Sequence, residues 1–303
     1  MSNALCAMAA ATAPTAPAGT QPSQEDCAGM HPLLLGLVAV GLCVLLVWII
    51  RRAAHPGKVS LRQGPGRRNR VHPLHVLGIL AAMFLSAAAA QGALLAAFGP
   101  DPSDPAAEAV KVRLAIAAGA VSATVWLVAG LIVAAVTFRH GLARGLGLSC
   151  RRWLYDTARG TLAYLAILPV CVGLNLAMVS LFDAVGIKVK VHVVLEHIQA
   201  FPVEWKALSV LSTVVLAPLS EEVFFRGIFQ SMLRRWTRGP WPAVLGASAL
   251  FAAFHIGQPQ AIPSLFALAV AMGYNYERTG RLFAPILIHA VFNAVNLYVW
   301  TTS

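Results

Sequence analysis

Apolar positions in this chain fall in long unbroken runs, with neither the alternation of a half-buried strand nor the three-and-four spacing of a one-faced helix. The runs cover roughly 32–50, 74–98, 114–138, 161–182, 207–233, 241–256, 261–276 and 282–301. Crossing about 30 Å of hydrocarbon takes about 20 residues of α-helix, and a helix satisfies its own backbone groups where no water can. The pattern therefore predicts an all-α, polytopic integral membrane protein with about eight transmembrane helices, the sixth and seventh being the shortest. Residues 1–30, rich in Ala, Pro and Thr, lack the basic start and cleavage pattern of a signal peptide and read as a disordered tail. Helices within 31–160 carry no chemical signature, whereas 161–303 hold the polar motifs described below. The segment 186–206 mixes apolar residues with Lys188, Lys190, His192, Glu196 and His197 and reads as an amphipathic linker along the outer interface. There is no internal repeat and no soluble domain.

Composition agrees: 58% of the 303 residues are hydrophobic and 12% charged, about half the charged share of an average soluble domain. The net charge of +11 does not indicate nucleic acid, because the bases lie in short loops between apolar runs instead of on one soluble face. Arg51, Arg52, Lys58, Arg62, Arg67, Arg68 and Arg70 fall in one loop. Arg139, Arg144, Arg151, Arg152 and Arg159 fall in another, followed by Arg234, Arg235 and Arg238 and then by Arg278 and Arg281. Asp101, Asp104, Glu108, Glu196 and Glu204 occupy the alternate loops. Basic loops resist translocation, so the chain is expected to be a multi-pass cell-membrane protein with both termini on the non-cytoplasmic side. Cys6, Cys27, Cys43, Cys150 and Cys171 have no CxxC spacing, which gives neither a disulfide framework nor a zinc knuckle.

The informative residues are the polar ones inside the runs. Residues 207–219 carry no formal charge, yet Glu221, Glu222 and Arg226 follow at once in "SEEVFFRG". A charge at the centre of a membrane helix costs about 2.5–3.5 kcal/mol, so such a cluster must face protein or water. Glu222 and Arg226 are four apart in the order that favours pairing, which makes them a structural brace. Glu221 is turned about 100° away and is left for another partner. Downstream, "FAAFH" places Phe251 and His255 one helical turn apart and "HAVFN" does the same for His289 and Asn293. Pro218 and Pro285 each remove a backbone hydrogen bond beside these motifs, which bends a helix or opens a cavity. Trp236, Trp241 and Trp300 read as interfacial anchors. Ser248, in "GASA", and the Tyr155–Asp156 pair offer weak serine-type and aspartyl-type alternatives, since no GxSG or GxGD partner accompanies them.

Taken together, "EEVFFR", "FAAFH" and "HAVFN" fit EExxxR, FxxxH and HxxxN in order on successive apolar segments, and over about the last hundred residues the chain resembles the CPBP intramembrane proteases, the CAAX-protease and bacteriocin-processing group related to type II CAAX prenyl endopeptidase. The resemblance implies a protease core whose catalytic residues lie on the last four helices. It implies hydrolysis of peptide bonds in membrane-associated, CAAX-type or small processed substrates, with Glu221 and His255 activating a water, His289 and Asn293 stabilising the oxyanion, and Glu222 with Arg226 as support. Asn is a hydrogen-bond donor and not a base, which agrees with that role. A metal-free, glutamate-type reaction is favoured, because Asn293 is a poor zinc ligand and no HExxH helix is present; in a metal-dependent version Glu221, His255 and His289 would hold zinc. The expected partners are a peptide or protein substrate and the lipid bilayer. Two other classes share these residues: a proton- or ion-coupled transporter, because buried Glu and His also form proton relays, and a non-catalytic bacteriocin-immunity or partner-binding relative.

Overall fold

The structure, a computed structural model, describes residues 31–55, 61, 68–101, 103–187, 198–237 and 239–302. The expected N-terminal tail and the charged part of the 186–206 linker lie outside the described residues. Among the described residues the elements are helical, apart from one antiparallel bridge between Asn69 and Phe138. In chain order the helices are α1 Pro32–Ala54, α2 Pro73–Phe98, α3 Ala107–Thr137, α4 Trp153–Ala184, α5 Val203–Trp236, α6 Pro240–Ala253, α7 Ile262–Thr279 and α8 Phe283–Thr302. Six of them, α1 to α5 and α8, are long and apolar enough to cross a membrane. The expected sixth and seventh spans are shorter or more polar: α6 has 14 residues, and the last turns of α7 carry Asn275, Glu277 and Arg278. Pro32, Pro73 and Pro240 each open a helix at the position where a missing N–H costs nothing.

Lipid solvates the outer helices, so α1 and α2 are almost wholly exposed on the molecular surface, whereas α5 and α7 are buried over a large part of their length. α1 packs on α4, α2 on α3, and α3 on α5; α4 also meets α7 and α8. One hydrophobic cluster runs through all the inner helices, from Val76 and Ile79 on α2 through Trp126, Tyr164 and Phe224 to Leu268 and Ile288. The N-terminal helices thus form walls around the motif-bearing ones. A smaller cluster joins Val112 and Ile116 to Ile198 and Phe201, with Trp205, Leu297 and Trp300 packed against it. Trp300 is therefore a packing residue of that satellite as well as a helix-end aromatic, while Trp236 and Trp241 are exposed at helix ends, as anchors should be.

The basic loops are tied together at one end of the bundle. Arg235 donates to the carbonyls of Asn69 and Val71, and Asn69 Nδ2 donates to Ser231 O at 3.1 Å. Asp156, fully buried, receives both arms of the Arg281 guanidinium at 2.6 Å each, fixing the start of α4 to the α7–α8 turn. Those hydrogen bonds hold the Arg281 guanidinium above its ordinary range. Asp156 is accordingly a structural carboxylate and not half of an aspartyl dyad. Beside it Gly147, at φ +93°, accepts from Leu282 N, and a Cβ there would run into Gly280 O.

Candidate active site

The site is built on α5, and it depends on how that helix is wound. Two stretches, Ser212–Leu216 and Val223–Gln230, are π-helical, with i→i+5 bonding in place of i→i+4. In the first of them Ala217 N bonds to Ser212 O, so the next N–H in that register would reach Thr213 O. The next residue is Pro218, which has no N–H. Asn293 of α8 supplies the missing donor: its Nδ2 lies 2.8 Å from Thr213 O. Pro218 therefore frees a carbonyl that ties α5 to α8. Pro285 behaves differently from the expectation, because it stands in the first turn of α8, where a backbone N–H has no intrahelical partner to lose.

The second π-helical stretch begins immediately after the two carboxylates. Glu222 and Arg226 keep the same face and form the expected brace, with Nη1 to Oε1 at 2.7 Å and both side chains essentially inaccessible. Arg226 Nη2 also donates to Ala269 O of α7 at 3.3 Å. Glu222 has a further partner that sequence spacing did not indicate: His289 Nδ1 lies 3.1 Å from the same Oε1. A carboxylate paired with Arg226 can only accept, so Nδ1 carries the hydrogen and Nε2 is directed elsewhere. Nε2 stands 3.9 Å from Oε2 of Glu221, beyond direct hydrogen-bonding distance. Glu221 is the more accessible of the two acids, with 16% of its side chain exposed, and the Oε2 of each acid has no hydrogen-bond partner among the described residues.

His255 occupies a turn, whereas the spacing predicted a helix through residue 256. α6 ends at Ala253, with Gly257 and Pro259 close behind as helix stops. In that turn His255 N bonds to Ala252 O, three residues back, which leaves Phe251 O available to His255 Nδ1 at 3.0 Å. A carbonyl oxygen only accepts, so this imidazole also carries its hydrogen on Nδ1 and presents an unprotonated Nε2 when neutral. Both imidazoles flank one ring: Phe251 lies 5.0 Å from His255 and 5.5 Å from His289, centroid to centroid, with the Arg226 guanidinium 4.7 Å from its own centroid. Phe251 is completely buried against Phe225, which in turn packs on Trp126 of α3. The phenylalanine of "FAAFH" is thus the common support for three charged or titratable groups, a role that motif spacing alone could not assign.

The structure therefore gathers Glu221, Glu222, Arg226, His289 and Asn293 where α5 meets α8, with His255 reaching the same phenylalanine from the end of α6. Among the described residues no three His, Cys, Asp or Glu side chains converge within one metal ion's reach, so the set Glu221, His255 and His289 does not form a ready zinc site. Ser248 is buried and donates to Val244 O at 2.8 Å inside its own helix, an ordinary back-bonded helix serine.

Residues 203–295 match the family model described as type II CAAX prenyl endopeptidase Rce1-like, a span from the start of α5 to just beyond Asn293. That match is consistent with the CPBP resemblance carried by the motifs. Two curated relatives are similar over the same order of length. The uncharacterized protein YpbD of Bacillus subtilis (strain 168) is 30% identical over 89 residues, covering 28% of this chain and 42% of the relative. An uncharacterized 24.3 kDa protein of Escherichia coli is 34% identical over 87 residues, covering 27% and 39%. The alignments thus span about two fifths of the relatives they match. No solved structure matches.

Proposed function

We propose that this protein is an intramembrane endopeptidase that hydrolyses peptide bonds of membrane-associated substrates, CAAX-type peptides among them, with a water activated by Glu221 and His255. The observation that carries the reading is the asymmetry of the two acids. Glu222 is inaccessible and locked through Oε1 by Arg226 and His289, while Glu221, its neighbour in sequence, has neither of those partners and keeps 16% of its side chain exposed. A braced acid beside a free one is the arrangement expected of a support and a base.

In the proposed reaction Glu221 accepts a proton as the water oxygen bonds to the scissile carbonyl carbon. The carbonyl electron pair becomes an oxyanion, received by the N–H of Asn293 not used by Thr213 O and by His289. For His289 to donate there it must carry protons on both nitrogens. Glu221, Glu222, Arg226 and that His289 sum to zero charge before the transfer, and with Glu221 protonated the oxyanion restores zero, which suits an apolar surrounding. When the tetrahedral species collapses, the C–N bond breaks and the nitrogen leaves with the proton that Glu221 took from the water, returned directly or relayed through the unprotonated Nε2 of His255. No step requires a metal ion.

The basic end of the bundle faces the cytoplasm in this reading, with both termini outside, and the chamber opens toward the cytoplasmic leaflet. The test is incubation of the purified protein with a peptide library, including prenylated CAAX peptides, followed by mass spectrometry against a Glu221→Gln control. Defined cleavage products that disappear in the control are expected. Equal products from both proteins, or substrate flux into proteoliposomes with no products, would overturn it.

A further inference from the structure

A second feature lies outside this machinery. At the basic end a groove of about 2040 Å³ opens between α1, α4, α6 and α7. Its mouth holds Arg51, Arg52, Arg159, Arg234 and Arg278, contributed by four helices, and no Asp or Glu is among its described lining residues. Deeper in, the walls are apolar, with Val44 and Val47 from α1, Leu162 and Ala166 from α4, and Val270 from α7. None of the motif residues lines it.

We infer that this groove is a binding site for one anionic phospholipid, its phosphate held by the arginine mouth and its acyl chains laid along the α1–α4–α7 wall. The occupant must bear negative charge at one end and long apolar chains at the other, and it must be reachable from within the bilayer. An anionic phospholipid meets all three conditions, and basic pockets between membrane helices recognise such headgroups. Two details point at the phosphate position. Arg159 Nε is buried and has no hydrogen-bond partner among the described residues, an N–H that a phosphate oxygen would satisfy. Arg52, Arg159 and Arg278, from three different helices, also line the groove together with Tyr274. Arg234 is only loosely engaged, 3.7 Å from Glu277 Oε2. Stacking of Tyr274 on Trp241, centroids 6.0 Å apart, gives the mouth an aromatic rim at the level where headgroups lie. The ligand would bridge α1 to α7, whose Ala269 carbonyl receives Arg226 of α5 on its inner side.

The inference does not depend on the proposed proteolysis, and its test reads binding. The full chain, purified in detergent and stripped of lipid, would be mixed with equal amounts of phosphatidylglycerol and phosphatidylcholine and examined by native mass spectrometry. One phosphatidylglycerol retained per chain, at least about fivefold over phosphatidylcholine, is expected from the roughly 1 kcal/mol that each nearby base contributes. Arg51→Gln with Arg159→Gln should lower the ratio by about fivefold or more, while Arg159→Lys, which keeps the charge, should preserve most of it. Equal retention of both lipids by the wild type overturns the site, as does an undiminished preference in the double variant. Displacement of the lipid by inorganic phosphate alone would reduce it to a free-anion site and overturn the lipid assignment. If the double variant fails to fold, the wild-type comparison and the lysine variant still decide.

Discussion

Replacing Arg226 by Met tests the brace directly. Arg226 and Glu222 are 1% and 0% exposed and 2.7 Å apart, so the substitution strands a carboxylate with no water and leaves its Oε2, already without a partner, unrelieved. Breaking a buried pair in this way costs about 3–5 kcal/mol. The guanidinium also lies 4.7 Å from the centre of Phe251, but the Met side chain packs on that ring in its place, so the cation–π loss adds little. At about 2–4 °C per kcal/mol, the expected fall in melting temperature is about 6–20 °C. Glu222→Gln alone should cost a similar amount by stranding Arg226, whose remaining acceptor is Ala269 O. The combined Glu222→Gln, Arg226→Met protein should recover to within about 1–2 kcal/mol of wild type, because neutral groups of similar volume replace both charges. The Gln carbonyl can still accept from His289 Nδ1, so the imidazole stays in place. Size-exclusion profiles of heated, detergent-solubilised protein measure all four corners of the cycle. Additive losses in the double variant, or an unchanged melting temperature in Arg226→Met, would refute the reasoning.

Other expectations are shorter to state. Glu221→Gln should lower peptide cleavage by about 10²–10⁴-fold with insertion and melting temperature unchanged, measured as product formation by mass spectrometry. Asn293→Ala should reduce cleavage and also destabilise by about 1–3 kcal/mol, because Thr213 O loses its donor. Adding Pro218→Ala restores an N–H in the Thr213 register and should return the melting temperature of that variant without returning its activity. Asp156→Asn should destabilise by about 1–3 kcal/mol through loss of the bidentate contact to Arg281, a partly exposed partner, seen as a lower melting temperature in detergent. A chelator such as phenanthroline should leave cleavage intact; loss of activity that zinc restores would establish the metal-dependent alternative.

Much of the fold could be read from the sequence because lipid imposes a simple rule: a run of apolar residues must close its backbone bonds internally. Five of the eight runs begin within one residue of a helix start and the other three begin four to eight residues inside one, and Pro32, Pro73 and Pro240 mark starts outright. The chief discrepancy in kind is α7, whose C-terminal polar residues are buried in protein contacts that a hydropathy pattern does not register: Gln230 Nε2 donates to Glu277 at 3.0 Å, and Tyr276 hydroxyl donates to Leu146 O at 2.8 Å. The brace between Glu222 and Arg226 was legible because it is local. The bond from His289 to Glu222 was not, since it spans 67 residues and is fixed only when α8 docks on α5. Phe251 escaped for a related reason: an apolar residue in an apolar run has no distinctive pattern until its neighbours are known.

The π-wound stretches of α5 explain why three motifs of fixed internal spacing work as one unit. In a regular α-helix Pro218 would orphan the carbonyl four residues back, that of Val214; in the observed register the deprived carbonyl is that of Thr213, and it is this oxygen that Asn293 reaches. One N–H of Asn293 is thereby anchored to the α5 backbone about two turns before Glu221, while the other remains to donate. His289, one turn earlier on α8, is anchored in the same fashion by Glu222, and His255 by Phe251 O. Each polar side chain thus uses one group to fix its orientation against an acceptor that cannot donate, and retains a second for chemistry. Their tautomers follow from the acceptors, and the acceptors from the winding of α5 and the early end of α6. A substitution that straightens α5 should therefore disturb Asn293 and His289 together, even though it touches neither.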